Sequence, residues 1–144
     1  LRDRDAGASQ APLPEATVKL VEAYLGVSGP VWTSLETISA LTKDAGVDIA
    51  DALDAARTRF ETFEKSDIDL AKFTFSAEFG RDLEYYTGHV FQVELPGLGR
   101  SGQIAGGGRY DDLLEGLGAP RPVPAAGSAI HTERLLAAVN GEQP

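Results

Sequence analysis

The sequence of 144 residues predicts an α+β fold, in which a helical N-terminal half precedes a C-terminal half of strands and tight loops. Eleven of the 16 glycines lie between Gly80 and Gly127, whereas the first 70 residues contain four. Glycine is unfavourable inside helices and common in turns. The apolar residues also change their spacing after Ser66, from a helical pattern to the alternation that is typical of strands. A chain of this length suits one domain or a sizeable piece of one.

Helices are predicted between residues 13 and 65, after a polar segment at residues 1–12 that we interpret as a linker or a cut end. The predicted helices cover residues 14–26, 33–46 and 48–65. Thr33 and Glu36 have the spacing of a capping box, and Asp48 is predicted to cap the third helix. The apolar stripes of these helices are interpreted as core positions: Val18, Val21, Leu25, Leu35, Ile38, Leu41, Ile49, Leu53, Phe60 and Phe63.

Strands and short helices are predicted after Ser66. The elements are one or two strands from Asp67 to about Phe79, a strand at Tyr86–Glu94, a turn at Pro96–Gly99, a strand from Gly102, a short helix at Tyr110–Leu117, a strand at Val123–Ile130 and a helix at Thr132–Val139. Gly97, Gly99 and Gly102 match the G-x-G-x-x-G dinucleotide fingerprint. That fingerprint requires a helix directly after it, and Gln103–Gly108 is not helical in pattern, so we interpret the match as a hairpin turn.

The composition excludes several functional classes. The chain has no cysteine, which excludes disulfide scaffolds, cysteine-zinc sites and thiol nucleophiles. The formal net charge is −9, and both halves of the chain are acidic, so this chain is not expected to bind nucleic acid. No apolar run is long enough for a membrane span, and no segment is typical of a signal peptide. We therefore expect a cytoplasmic protein, and because the first residue is Leu1, we expect that the natural start is missing.

Candidate site residues are concentrated in the segment Arg81–Gln92. Its paired tyrosines precede a Thr-Gly dipeptide, and Arg81 lies four residues before Tyr85. Aromatic side chains and a guanidinium in this arrangement could hold a polar ligand, although the residues alone leave a structural role open. The run Gly106–Gly108 permits a ligand to approach the backbone closely, or a bulge. The two histidines, His89 and His131, are 42 residues apart, and their positions indicate no metal site.

Segments that occur in a fixed order carry a resemblance to a known family. They are YYTGHVF (Tyr85–Phe91), AGGGRYDDLL (Ala105–Leu114) and GSAIHTERLL (Gly127–Leu136). They resemble the catalytic domain of histidyl-tRNA synthetase, a class II aminoacyl-tRNA synthetase, and of its catalytically silent paralogue, the regulatory subunit of short-form ATP phosphoribosyltransferase. The resemblance implies a class II synthetase-like antiparallel sheet with flanking helices. Residues 66–144 would be the C-terminal part of that domain, and residues 13–65 a small helical insertion.

The resemblance also implies a binding site. The residues that match the histidine pocket of the family are Arg81, Tyr85, Tyr86, Gly106 and Gly107. The arginine that matches Arg134 packs against the ATP adenine in synthetases. His131 stands where synthetases usually have glycine, and its side chain would crowd the ATP site. A vestigial ATP site without catalytic residues is therefore expected at Arg134 and His131.

The resemblance leaves different functions to be compared. A regulatory subunit would be non-catalytic, would need no cofactor and would assemble, as a homodimer within a hetero-oligomer, with the catalytic short-form phosphoribosyltransferase subunit. It would bind L-histidine for feedback on histidine biosynthesis. His131, together with Asp82 and Gln92 in place of the usual glycine and acid, favours this interpretation, as does the end of the chain soon after Arg134. The alternatives are a truncated histidyl-tRNA synthetase core, which activates histidine with ATP, and a separate histidine-binding module.

Overall fold

The computed structural model describes residues 12–81, 84–95 and 102–141. The chain divides into two compact units, of which the first ends at Phe79 and the second begins at Gly80. We call them the helical unit and the sheet unit. Residues 66–79, which follow the predicted helical insertion, therefore belong with the helices.

The helical unit contains helices and a minimal strand pair. Its elements are α1 (Glu15–Leu25), β1 (Ser28–Gly29), α2 (Val31–Asp44), α3 (Ala50–Lys65), a 3-10 turn (Leu70–Lys72) and β2 (Phe75–Ser76). β1 and β2 pair antiparallel. The buried apolar core consists of Val27, Val31, Leu35, Ile38, Leu53 and Phe60. The helices predicted at 14–26, 33–46 and 48–65 are confirmed, and the predicted stripes of α2 and α3 contribute core residues. The predicted core positions of α1 are wrong, because Val18, Val21 and Leu25 are exposed.

The starts of α2 and α3 differ from the prediction. The capping box at Thr33 and Glu36 is wrong, because α2 already begins at Val31 and Pro30 occupies the N-cap position. Pro30 has an extended ψ of 139° and makes no side-chain cap hydrogen bond, so the helix begins without a capping box. Asp48 lies one residue before the N-cap of α3, yet its Oδ1 accepts a hydrogen bond of 3.0 Å from the Ala50 amide. Asp48 therefore still satisfies one of the free amides of the first turn.

The strands predicted from Asp67 to Phe79 are reduced to the short β2. Asp67 has a positive φ of 58°, which interrupts an extended chain. The Asp69 carboxylate accepts a hydrogen bond of 3.0 Å from the Ala71 amide and thereby caps the 3-10 turn. Local side-chain bonds of aspartate thus override the alternating pattern.

The sheet unit is built on a small antiparallel sheet. Its elements are β3 (Val90–Glu94), β4 (Gln103–Arg109), α4 (Leu113–Gly116), β5 (Ala126–Ile130) and α5 (Thr132–Asn140). The strand order is β3-β4-β5. The β3 and β4 pairing and the bond from the Leu95 amide to the Gly102 carbonyl, 2.8 Å, confirm the hairpin interpretation of the glycine fingerprint. The predicted turn at Pro96–Gly99 lies outside the described residues.

Two strands and one helix of the sheet unit begin later in the sequence than predicted. β3 begins at Val90 and not at Tyr86, because the preceding segment is held as a loop: the Thr87 hydroxyl accepts a hydrogen bond from the Asp111 amide. β5 begins at Ala126 and not at Val123, and α4 starts at Leu113. In the described part of the chain, no helix is long and apolar enough to cross a membrane.

Candidate functional site

On one face of the sheet, β4 and β5 contribute residues with little or no side chain, whereas Val90 and Gln92 of β3 share that face through their pairing with Gly108 and Gly106. Gly106 and Gly108 are two residues apart on β4 and therefore share a face. Gly108 pairs with Gly127 on β5, and Gly106 pairs with Ala129. Directly paired residues point to the same side of a sheet. These four residues, which we call the glycine face, leave space that side chains from the neighbouring loops enter.

Tyrosines cover one end of the glycine face. The Tyr86 ring lies over Gly108, since a Cβ at position 108 would be 2.8 Å from Cδ1 and Cε1 of the ring. The Tyr110 hydroxyl lies over Gly127 in the same way, at 2.5 Å. Tyr85 packs on both other rings, with centroid separations of 4.6 Å to Tyr86 and 5.3 Å to Tyr110. We call these residues the tyrosine cluster.

Tyr110 was not among the predicted site residues. It lies within the AGGGRYDDLL segment, from which the sequence analysis assigned only glycines to the site. Its edge-to-face contact with Tyr85, with an interplanar angle of 89°, is a favourable aromatic geometry. The glycine run followed by Arg-Tyr was therefore the available signal, because it places a tyrosine at the end of the strand that floors the site.

The hydroxyl group of Tyr85 is kept protonated by its surroundings. A hydrogen bond with the Tyr86 side chain, followed by desolvation, raises the pKa of Tyr85 above its ordinary value of 10.0. The neutral phenol of Tyr85 can therefore donate as well as accept hydrogen bonds near neutral pH. An aromatic cluster with such a donor is suited to a flat, polar ring.

Arg81 covers the other end of the glycine face. A Cβ at position 106 would lie 2.9 Å from Cζ of Arg81, so the guanidinium rests on the bare backbone of Gly106. The Nε of Arg81 is buried and has no hydrogen-bond partner within the described ranges of the chain. A buried donor on a charged group without a partner is unfavourable. This orphaned donor indicates a place for an anionic group of a ligand.

A hydrogen-bond network centred on Asp111 holds the segments that carry the tyrosine cluster. The Asp111 carboxylate accepts hydrogen bonds from Nε of Arg109, at 2.7 and 3.0 Å, and from the Ala125 amide, at 3.0 Å. The Asp111 amide donates to the Thr87 hydroxyl at 2.9 Å. The Arg109 hydrogen bond lowers the pKa of Asp111 below its ordinary value, with the Ala125 amide and the Arg109 charge adding to this effect. Asp111 is therefore ionised near neutral pH and fixes the loop that follows Tyr86 next to the end of β4.

The other predicted residues lie at the start of α5 and inside β4. Nη1 of Arg134 donates to the Gln103 carbonyl at 2.9 Å, and the His131 amide donates to the Ile104 carbonyl at 2.8 Å. His131 is the N-cap residue of α5. Both residues thus bind the helix start to the β4 backbone.

Gly107 has a packing position in the sheet. A Cβ at position 107 would lie 2.7 Å from Cα of Ser128 on β5, so this glycine lets the two strands approach closely. Of the residues predicted for the histidine pocket, Arg81, Tyr85 and Tyr86 thus meet around the glycine face, which contains Gly106. Across the described residues, no group of three or more metal-ligating side chains is close enough to hold a metal ion.

Comparison with known proteins decides the family. The sequence profile of histidyl-tRNA synthetase matches residues 2–135. The chain belongs to the histidyl-tRNA synthetase family. This confirms the family that the sequence analysis identified, and the mixed structure with its antiparallel sheet agrees with the predicted α+β class.

Several bacterial members of the family are similar to this chain over most of its length. Proteins named ATP phosphoribosyltransferase regulatory subunit are 34% identical over 132 residues in Chelativorans sp. (strain BNC1) and 33% identical over 132 residues in Agrobacterium fabrum (strain C58). Each match covers 92% of this chain and 35% of the relative. The protein of the same name from Allorhizobium ampelinum is 34% identical over 127 residues, which are 88% of this chain and 34% of the relative. The chain thus spans about a third of the length of these curated relatives.

Proposed function

We propose that the polypeptide containing this chain is a non-catalytic regulatory subunit of ATP phosphoribosyltransferase, and that its glycine face binds L-histidine. The observation that carries this proposal is the placement of Arg81 Nε, which has no partner among the described residues, and of the tyrosine cluster at opposite ends of one bare strip of sheet. The relatives named as regulatory subunits support it.

Histidine has groups that match both ends of this strip. Its carboxylate would accept hydrogen bonds from the Arg81 guanidinium, which is a fork of donors that fits a carboxylate. Its imidazole would lie against Tyr85, Tyr86 and Tyr110, where phenol hydroxyls can donate to or accept from the ring nitrogens. The bare backbone of Gly106 gives the Arg81 guanidinium room at its end of the strip.

The contacts of Arg134 and His131 support a regulatory and not a catalytic role. Formation of an adenylate needs preorganised cations aimed at developing negative charge. The Arg134 guanidinium donates to the Gln103 carbonyl, and His131 occupies the first position of α5. Transfer of the phosphoribosyl group from its diphosphate donor to ATP would take place in the catalytic short-form subunit, which this polypeptide would bind and regulate in the cytoplasm.

Family membership also makes histidyl-tRNA synthetase activity a second candidate, because Arg81 and Arg134 are present. The net charge of −9 disfavours it, since binding of tRNA depends largely on basic side chains that neutralise phosphates.

Size-exclusion chromatography and a tRNA filter-binding assay separate the two candidates. The complete polypeptide is expected to co-elute with the short-form catalytic subunit and to leave histidine tRNA in the filtrate. Separate elution together with tight, specific tRNA binding would instead establish the synthetase candidate.

A further inference from the structure

The strand that floors the site contains a β-bulge whose consequence cannot be read from its sequence. Val93 pairs with Ala105, but the next residue of β3, Glu94, pairs with Gln103. Ile104 is therefore the extra residue on β4. Side chains alternate between the faces of a strand, so a single extra residue moves every later side chain to the opposite face.

The bulge brings the Gln103 side chain to the glycine face. Without it, Gln103 would share a face with Ala105 and Gly107, because these residues are two and four positions apart. The contacts agree with the altered register, since a Cβ at Gly106 would lie 2.9 Å from Nε2 of Gln103. The Gln103 carboxamide therefore lies over the same glycine as Arg81.

Arg81 and Gln103 converge on one point. Cζ of Arg81 and Nε2 of Gln103 are each 2.9 Å from the position of a Cβ at Gly106. A guanidinium contains only donors, and a carboxamide NH₂ group contains two more. Donors that converge in this way are complementary to an oxygen that accepts several hydrogen bonds. One of these donors is the buried Arg81 Nε, for which the described part of the chain offers no partner.

The backbone of Gln103 is fixed from the other side. Its carbonyl accepts the Arg134 hydrogen bond of 2.9 Å, and the neighbouring Ile104 carbonyl accepts the amide of His131. These bonds attach the bulge to the first turn of α5. The Gln103 side chain is therefore presented from a supported backbone, which is the condition under which a polar contact adds specificity.

From these observations we propose that Gln103 is a second recognition residue for the ligand's carboxylate and works together with Arg81. This inference rests on the proposed function, because it takes histidine as the amino acid whose imidazole faces the tyrosine cluster. Gln103 then discriminates amino acids from amines of the same shape, because its hydrogen bond adds no affinity for an amine that lacks the carboxylate.

Calorimetry with matched ligands and variants tests this proposal in the complete polypeptide. The ligands are histidine and histamine, which has the same ring and amine but no carboxylate. The variants are Gln103→Ala, which removes the donor, and the nearly isosteric Gln103→Glu, which opposes a carboxylate with a carboxylate. Asn140→Asp is the matched control, because it makes the same amide-to-acid change at the exposed last residue of α5.

The proposal predicts a ligand-dependent loss. Gln103→Ala should weaken histidine binding by about 10- to 100-fold, in line with loss of a hydrogen bond to a charged group, and Gln103→Glu should weaken it further. Histamine affinity should stay within about twofold for Gln103→Ala, and the control should change neither ligand.

Different failures identify which proposal is wrong. If the wild type binds histidine and the Gln103 variants bind it equally well, this inference is overturned and the proposed function stands. Equal losses for histidine and histamine would show that Gln103 only maintains the site, which also overturns the inference. Absence of histidine binding by the wild type would overturn both proposals.

Discussion

The Tyr86 ring lies directly against the backbone of Gly108, so that a Cβ at this position would be 2.8 Å from two of its ring carbons and 2.7 Å from the His89 carbonyl oxygen. Side-chain carbons do not approach other atoms this closely, and the ring would have to move to admit even a methyl group. The same relationship holds between Arg81 and Gly106. Gly106 and Gly108 of β4 are thus explained by the side chains that rest on them.

Replacement of Gly108 by alanine should displace the tyrosine cluster from the sheet. We expect at least a tenfold loss of histidine affinity in the Gly108→Ala polypeptide, since a displaced Tyr86 ring disturbs the packing of Tyr85 and Tyr110. Gly116→Ala is the control, because open space surrounds Gly116 at the end of α4. Titration calorimetry of both variants measures the difference, and equal affinities would show that the ligand does not contact the tyrosine cluster.

The planar shape of the Arg81 guanidinium, as well as its charge, should contribute to histidine binding. Arg81→Ala is expected to lose about 2–5 kcal/mol of histidine binding free energy, as for truncation of one partner of a buried charge pair. Arg81→Lys should recover only part of this loss, because an ammonium cannot make the two parallel bonds. The exposed Arg121 provides a control of equal charge change in Arg121→Ala. An Arg81→Lys variant with wild-type affinity would contradict the bidentate geometry.

The Asp111 network should resist acid until its carboxylate is protonated. Because the Arg109 hydrogen bond lowers the pKa of Asp111 in the folded state, its contribution to stability is present above the pKa of an unfolded aspartate and is lost as the pH falls through the lowered value. We expect the carbon-13 resonance of the Asp111 carboxyl group to titrate below the usual range of aspartate. In Arg109→Gln, the midpoint should rise towards that range. Identical midpoints in the two proteins would exclude Arg109 as the cause.

The core of the helical unit should depend on Leu35. This side chain is 3% exposed, and its replacement by alanine should lower the free energy of unfolding by about 2–5 kcal/mol. Leu13→Ala, at a position that is 67% exposed, should change it by less than about 0.5 kcal/mol. Trp32 is the only tryptophan of this sequence, and it packs against this core, so its fluorescence during denaturation reports on this unit. Equal losses for both variants would contradict the assigned core.

Much of the fold was predictable because helix formation here follows a simple apolar period. The stripe on α3 that includes Leu53 and Phe60 is buried as the spacing predicts. The strands after Ser66 were less predictable, because the alternating residues include Asp69, whose side chain bonds to its own backbone neighbourhood instead. The conformation of such a short element depends on a single hydrogen bond, which the spacing of apolar residues does not predict.

The candidate site was predictable only in part. Arg81, Tyr85 and Tyr86 are close in sequence, so their convergence could be expected. Gln103 could not be placed, because the bulge at Ile104 reverses the alternation that assigns side chains to faces. The position of Tyr110 could also not be predicted without the strand register. Tyr110 follows the end of β4, and its hydroxyl lies over Gly127 of the neighbouring strand β5.

The most direct test of a regulatory role is the rate of phosphoribosyl transfer to ATP by the short-form catalytic subunit. The rate is measured with and without the complete polypeptide that contains this chain, over a range of histidine concentrations. The account predicts that the polypeptide raises the rate and that histidine then lowers it, with a shift of histidine affinity on assembly, as linkage requires when histidine favours one assembly state. An unchanged rate, together with histidine-dependent exchange of pyrophosphate into ATP by the polypeptide alone, would contradict it.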